Sequence, residues 1–257
     1  TGLSKYRGFL SAMEPRTLLI EEAAETLESK IIAGMIESLQ QLILVGDHKQ
    51  LQASCTVQAL QDEPYYISVS MFERLVKNFM PFVMLNNQRR MITDVRKLLC
   101  IPPNPFYRDL HDHESVLDRV NNRPPVPGMG GRDTYFFSHN WSESRTFDGS
   151  CFNLSEADMI AEFFNYLVLN GVDASKITVL TFYNGQRKTI IKQLKRHPSL
   201  GGTTYFNVFT VDSYQGEEND IILLSMVRSN QNQGVGFLDS KNRLVVALSR
   251  ARRGLYL

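Results

Sequence analysis

The sequence predicts an α/β protein built on parallel sheets with helices on both faces, and three observations carry that expectation. Two short apolar runs, residues 18–20 and 42–45, each stop at a polar, acid-bearing tip, Glu21-Glu22 and Gly46-Asp47. Buried parallel strands read this way, because both faces are covered and function gathers at the strand ends. The second half then alternates strand-like and helix-like stretches several times. Finally, 43% hydrophobic residues in a chain of 257 support a real core, enough for one large or two ordinary domains.

The two tips point to chemistry. Open α/β folds place ligands at the carboxyl edge of the sheet. Magnesium takes hard oxygen ligands and is held by one or two carboxylates with phosphate and water. Glu21 is the candidate for that contact, and Glu22 for orienting and deprotonating an attacking water. Gln50, in Gly46-Asp-x-x-Gln, is placed to sense a terminal phosphate. Glu-Glu-Ala-Ala alone reads more readily as an acid-decorated helix start; the second tip reverses that balance. Together they suit a magnesium nucleoside triphosphate.

Composition sets bounds. Lys and Arg total 28 against 27 Asp and Glu, a net charge of +1, so a nucleic-acid partner requires a local basic surface. Cys55, Cys100 and Cys151 show neither zinc spacing nor a disulfide framework, which favours a reducing intracellular compartment, nucleus or cytoplasm. No apolar run reaches membrane-spanning length and no signal peptide is visible. A start at Thr1 and an end in a strand-like Gly-Leu-Tyr-Leu read as a fragment.

Along the chain, Thr1-Gly2 with Lys5 and Arg7 reads equally as a phosphate-touching tip or a solvated connection. Residues 24–39 predict a helix with Leu27, Ile31, Met35 and Leu39 inward. A polar loop around Pro64 follows, then a helix from Met71 capped by Ser70, with Glu73 completing a capping box. Residues 82–85 predict a strand. Arg89 and Arg90 follow it; an isolated pair reads as solvated surface, but an arginine there can neutralise a transferring phosphoryl group. Residues 106–114 predict a surface turn, with His111 and His113 lacking the further ligands a metal would need. Residues 121–131 read as a loop, 134–139 as a strand and 138–150 as a surface loop with Trp141 half-buried.

Ser155 and Asp158 predict a capped helix with Ala157, Ile160, Ala161, Phe164, Leu167 and Val168 inward, stopped by Gly171. A strand over 177–182 and a helix over 185–197 come next. That helix carries Arg187, Lys188, Lys192, Lys195 and Arg196 on one side, a solvated face before it is a phosphate-tracking one. Strands over 206–211 and 221–227 and a helix over 242–252 complete the pattern.

Several stretches now stand in one order: Thr-Gly, LLIEEAA, LILVGDHKQL, LNNQRRM, TFYNGQ, VDSYQGEENDIILLSMVRSN and NRLVVALSRAR. The chain resembles superfamily-one helicases of the Upf-like (DNA2/NAM7-type) branch over nearly its whole length. TGLSKYRG and LLIEEAAETLE resemble more particularly the helicases of RNA silencing and heterochromatin that carry NFX-type zinc fingers. The resemblance implies a P-loop NTPase fold of tandem RecA-like lobes, residues 1–83 ending the first and 84–257 forming most of the second. ATP and Mg2+ are the implied cofactors. Glu21 matches the metal-associated acid, where the family often has Asp. Glu22 matches the water-activating acid, Gln50 the phosphate-sensing glutamine, and Arg90 and Arg250 the arginine fingers. Gln88, Arg89, Gly216 and Glu218 match nucleotide-contacting positions, with Arg89 in place of an adenine-stacking aromatic. Thr1, Gly2, Thr181, Tyr183 and Asp212 match positions facing nucleic acid.

The implied function is a 5′–3′ RNA helicase or translocase motor acting on single strands in RNA surveillance or silencing, with silencing or decay factors as partners and no membrane. A catalytically inactive RNA- or partner-binding clamp and a DNA helicase of the same branch are the alternatives. No G-x-x-x-x-G-K-[ST] loop occurs in these 257 residues, so the expectation is that the chain alone binds ATP feebly and does not turn it over, whereas the parent does. The central expectation is convergence: acids of the first lobe and arginines of the second meet on one triphosphate.

Overall fold

A computed structural model describes residues 5–201, 205–230 and 234–257. The chain divides into two compact units, Thr1–Met84 and Leu85–Leu257.

The first unit runs α1 (Arg7–Met13), β1 (Thr17–Ile20), α2 (Glu28–Gly34), β2 (Gln41–Leu44) and α3 (Met71–Lys77). β1 and β2 are parallel, with Thr17 beside Gln41 and Ile20 beside Leu44. Two further bonds carry the pairing past the strand ends: Val45 N–H donates to the Ile20 carbonyl and Ala23 N–H to that of Val45, each at 2.9 Å. These strands are not buried on both faces as expected. Leu18, Ile20, Leu42 and Leu44 are half-buried, whereas Leu19 and Ile43 face solvent, because a two-stranded sheet covers one side. The helix expected over 24–39 is shorter. Glu22 adopts φ +49° and turns follow it, with Thr26 Oγ1 donating to the Glu22 carbonyl at 3.2 Å. Helix begins only at Glu28, and it ends at Gly34, a residue type disfavoured inside one by about 1 kcal/mol relative to alanine. Ser70 caps α3 as expected, accepting from Glu73 N–H at 3.1 Å.

Residues 82–85 form no strand. Val83 and Leu85 are 90% and 86% exposed, and no described strand pairs with them. A strand needs a ladder partner, which an apolar run alone does not supply. The pairing begins two residues later, in the second unit, where β3 (Asn87–Gln88) runs parallel to β4 (His111–Asp112). The expected surface turn at 106–114 therefore contains a strand. It is stitched by backbone bonds that hydrophobicity does not report.

The second unit continues with α4 (Thr93–Leu98), α5 (Glu114–Leu117), β5 (Thr134–Tyr135), β6 (Ser144–Arg145), β7 (Cys151–Phe152), α6 (Leu154–Leu169), β8 (Ile177–Thr181), α7 (Asn184–Arg196), β9 (Asn207–Thr210), β10 (Asn219–Ser225), α8 (Lys241–Leu248) and β11 (Ala251–Tyr256). Five of these strands form a parallel sheet in the order β5-β11-β10-β8-β9. Ile177, Val179, Ile221 and Leu223 meet Ile160, Phe164, Ile190 and Leu194 of α6 and α7 on one face. The alternate residues Leu180, Ile222, Leu224 and Leu255 are buried too, on the other face. Burying each such side chain contributes roughly 1.5–3 kcal/mol.

Several boundaries differ from the sequence reading. α6 is capped by Asn153, whose Oδ1 accepts from Glu156 N–H at 3.1 Å, so Ser155 and Asp158 lie inside the helix. The expected strand at 134–139 shrinks to β5, and the surface loop at 138–150 contains β6, paired antiparallel with β7. Trp141 is half-buried, as expected, and stacks on His139 at 4.5 Å. The helix expected over 242–252 stops at Leu248, and β11 opens at Ala251, placing Arg250 in the sharp turn between them.

Candidate functional site

In the first unit the candidate residues sit at the carboxyl ends of β1 and β2. Glu21 and Glu22 are exposed, and Glu22 holds the left-handed φ that few non-glycine residues adopt. Asp47 builds the second tip: its carboxylate accepts from Lys49 N–H at 3.0 Å and from Gln50 Nε2 at 3.1 Å. Gly46 lets the two tips approach. A Cβ there would lie 2.9 Å from the Ala24 nitrogen and 3.1 Å from that of Ala23. Glu21, Glu22, Asp47 and Gln50 are thus brought to neighbouring tips, and exposed carboxylates are the hard oxygen donors magnesium prefers. No group of three or more potential metal-binding side chains occurs among the described residues.

In the second unit the candidates divide between opposite edges of the sheet. At the amino ends of β10 and β11, Arg90 Nε donates to Glu218 and Arg90 Nη1 to the Ser249 carbonyl at 3.2 Å. Arg252 stands 3.8 Å from the same Glu218 carboxylate. Arg250 is 1% exposed: its Nη1 reaches the Glu217 carbonyl at 3.2 Å, its Nε that of Val246 at 3.1 Å, and its Nη2 the Ser249 hydroxyl at 2.9 Å. Glu218, Arg90 and Arg250 are therefore gathered, with Arg250 inside the wall and not at its surface. Gly216 takes φ +79° in the loop leading to Glu218, with open space where a side chain would be.

Gln88 is used fully by its own loop. Its Nε2 donates to Met91 carbonyl at 2.7 Å and Asp112 at 2.6 Å, and its Oε1 accepts from Arg90 and Met91 N–H at 2.9 and 2.8 Å. In this arrangement it shapes the turn that presents Arg89 and Arg90. Arg123, which the sequence reading passed over, braces that turn from behind by donating to the Arg89 and Arg90 carbonyls, both at 3.1 Å. Burial, with Arg252 nearby, holds its guanidinium below its ordinary pKa. Arg89 is exposed.

At the carboxyl edge stand Thr181, Tyr183 and Asp212. Thr181 is fully buried and its Oγ1 has no hydrogen-bond partner among the described residues. Tyr183 is 5% exposed; its hydroxyl accepts from Phe237 N–H at 3.2 Å and from Arg228 at 3.3 Å. Asp212 pairs with Arg243 at 2.9 Å, Arg243 lies over Phe237, and Phe237 stacks on Tyr183 at 5.3 Å. Arg228 continues the chain to Glu143 at 2.8 Å. Its bond to Tyr183, then that to Glu143, raises the Arg228 pKa against burial. Burial works to raise the Glu143 carboxyl, but bonds from Asn230, Arg228 and Ser229 outweigh it and hold it below the ordinary range. Thr1 and Gly2 lie outside the described residues.

A family profile described as AAA domain matches residues 67–257, and a second of the same description matches residues 2–58. The chain belongs to the superfamily-one helicases of the Upf-like branch. The RecA-like α/β fold of that family is the one its five-stranded parallel sheet displays. The chain is 46% identical over 258 residues to "Helicase required for RNAi-mediated heterochromatin assembly 1" of Schizosaccharomyces pombe, covering 100% of the chain and 25% of that protein. It is 44% identical to mouse "NFX1-type zinc finger-containing protein 1", covering 100% of the chain and 13% of that protein. Against the Arabidopsis thaliana "Regulator of nonsense transcripts 1 homolog" it is 33% identical, covering 96% and 20%. The chain spans a quarter or less of the length of these relatives. No helix of the described residues is long and apolar enough to cross a membrane.

Proposed function

We propose that this chain is part of an ATP-dependent 5′–3′ RNA helicase motor, with residues 1–83 ending the first RecA-like lobe and 84–257 forming most of the second. The observation that carries the reading is the pairing of the two strand tips, which sets Glu21-Glu22 beside Asp47 and Gln50. Glu21 would hold Mg2+, which would supply positive charge against the phosphates. Glu22 accepts the proton of an attacking water, and Gln50 contacts the terminal phosphate. Arg90 and Arg250 neutralise charge developing on the transferring group. Gly216 and Glu218 contact the nucleotide, and Arg89 offers a guanidinium plane to the base. The carboxyl edge of the second sheet, with Thr181, Tyr183 and Asp212, faces a single strand through sequence-tolerant backbone contacts. The printed names of the relatives support a place in RNA silencing or transcript surveillance.

The test is phosphate release by the full-length protein with and without single-stranded RNA. The expected result is RNA-stimulated turnover, lowered about a hundredfold or more by Glu22→Gln with nucleotide affinity retained. Unchanged turnover in that variant overturns the assignment. An inactive nucleic-acid clamp is the second reading, favoured by the burial of Arg250. RNA binding with no turnover in the wild type would establish it. Stronger stimulation by DNA than by RNA would move the substrate to DNA, the difference resting on the 2′-hydroxyl.

A further inference from the structure

One polar group lies beneath the carboxyl edge and takes no part in the proposed chemistry. Glu156, in the first turn of α6, is 4% exposed. Its carboxylate accepts from the Ser225 hydroxyl at 2.7 Å and from Val227 N–H, with the two oxygens 3.1 and 3.0 Å away. The Ser225 hydroxyl also accepts from Gln186 Nε2 at 3.0 Å, and Gln186 Oε1 accepts from Asn153 N–H at 2.8 Å. His139 Nε2 stands 3.4 Å from the other side of the carboxylate.

The segment that this carboxylate holds is strained. Val227 is 1% exposed and has φ +72°, a conformation that is a genuine outlier for a β-branched residue. Arg228 N–H donates to the Met226 carbonyl at 2.8 Å, closing a γ-turn of the rare positive-φ kind. Such backbone persists only where its surroundings over-determine it. Here the surroundings are the Glu156 carboxylate on the Val227 amide and the Ser225 hydroxyl one strand end earlier. The turn swings the chain out of β10, so that Arg228 reaches Glu143 and Tyr183 and Asn230 reaches Glu143 at 3.1 Å.

We infer that Glu156 is a positioning residue for single-strand binding: it holds the strained Val227 turn that aims Arg228 and Asn230 along the carboxyl edge. The inference rests on the reading of that edge as the face toward nucleic acid. Removing the carboxylate leaves a buried amide without its acceptor and lets the turn relax. A glutamine keeps one acceptor oxygen and retains part of the hold.

The experiment uses the full-length protein and its Glu156→Ala and Glu156→Gln variants. Three quantities are read: hydrogen exchange at the Val227 and Arg228 amides, affinity for single-stranded oligouridine, and affinity for a non-hydrolysable ATP analogue. In Glu156→Ala the amides exchange faster and oligouridine binding weakens about tenfold, with analogue affinity unchanged. Glu156→Gln restores most of the binding. Faster exchange with unchanged oligouridine affinity overturns the inference, as does equal loss of both affinities, which marks a merely structural role. If Glu156→Ala does not fold, Ser225→Ala carries the same comparison, with weaker oligouridine binding expected and unchanged binding overturning the inference. A wild type that binds no oligouridine sinks the functional reading instead, and the exchange data then decide the geometry alone.

Discussion

Replacing Gly46 with alanine tests how the strand tips of the first unit are held. The added methyl would sit 2.9 Å from the Ala24 nitrogen and 3.1 Å from the Ala23 nitrogen. Ordinary contact begins near 3.5 Å, and these are backbone atoms that no rotamer change can clear. The Gly46 loop or the turn after Glu22 must therefore move by several tenths of an ångström. Overpacking of this kind costs about 1–3 kcal/mol. The same shift reaches Glu22, next to Ala23 in the chain, and a misplacement of about 1 Å at a reacting group can cost a hundredfold in rate. Urea unfolding of wild type and Gly46→Ala reads the first effect, and RNA-stimulated ATP turnover of the full-length protein reads the second. The expectation is a lower unfolding midpoint and a reduced kcat. Stability within about 0.3 kcal/mol of wild type, together with full activity, would refute the claim that tip spacing is set by this contact.

Arg250→Ala removes a buried guanidinium and strands the Glu217 and Val246 carbonyls. A loss of about 3 kcal/mol or more is expected by urea unfolding, and a loss under about 1 kcal/mol would show that its buried bonds contribute little. Glu143 makes stability pH-dependent. Its folded-state carboxyl titrates below the ordinary range, so its contribution is complete above that range and is lost as pH falls through the folded value. The stability gap between wild type and Glu143→Gln should therefore be constant above the ordinary glutamate range, about 4.3, and shrink as the pH falls below it; a gap independent of pH contradicts the assignment. The 257-residue chain alone should show no measurable ATP turnover, because its sequence contains no G-x-x-x-x-G-K-[ST] phosphate loop. Turnover that Glu22→Gln abolishes would overturn this.

The parts of the fold legible in the sequence were those with long, uninterrupted periodicity. α6, β8 and α7 stand where Ile160, Phe164, Leu167 and the 177–181 run place them. Boundaries were less legible. Asn153, not Ser155, caps α6, because its side chain is also fixed by donating to the Trp141 carbonyl at 2.7 Å, a tertiary contact. The end of α8 carries no glycine or proline, so the apolar run at 244–248 gave no signal that Arg250 sits in a turn. β4 is polar and two residues long, and only its backbone partner makes it a strand. The candidate residues were nominated by type and order along the chain. Their partners were not: Glu218 lies 128 residues from Arg90, and nothing local marks Arg123, Glu143 or Glu156 as supports.

The proposed motor requires Glu22, Arg90 and Arg250 to act on one triphosphate. The most direct measurement is a structure of the full-length protein with single-stranded RNA, Mg2+, ADP and aluminium fluoride, a mimic of the transferring phosphoryl group. The expected result is the Glu22 carboxylate within about 3 Å of the attacking water and both guanidinium groups within about 3 Å of the fluoride. A fluoride held with Arg90 still paired to Glu218, and Arg250 still turned into the wall of the sheet, would contradict it.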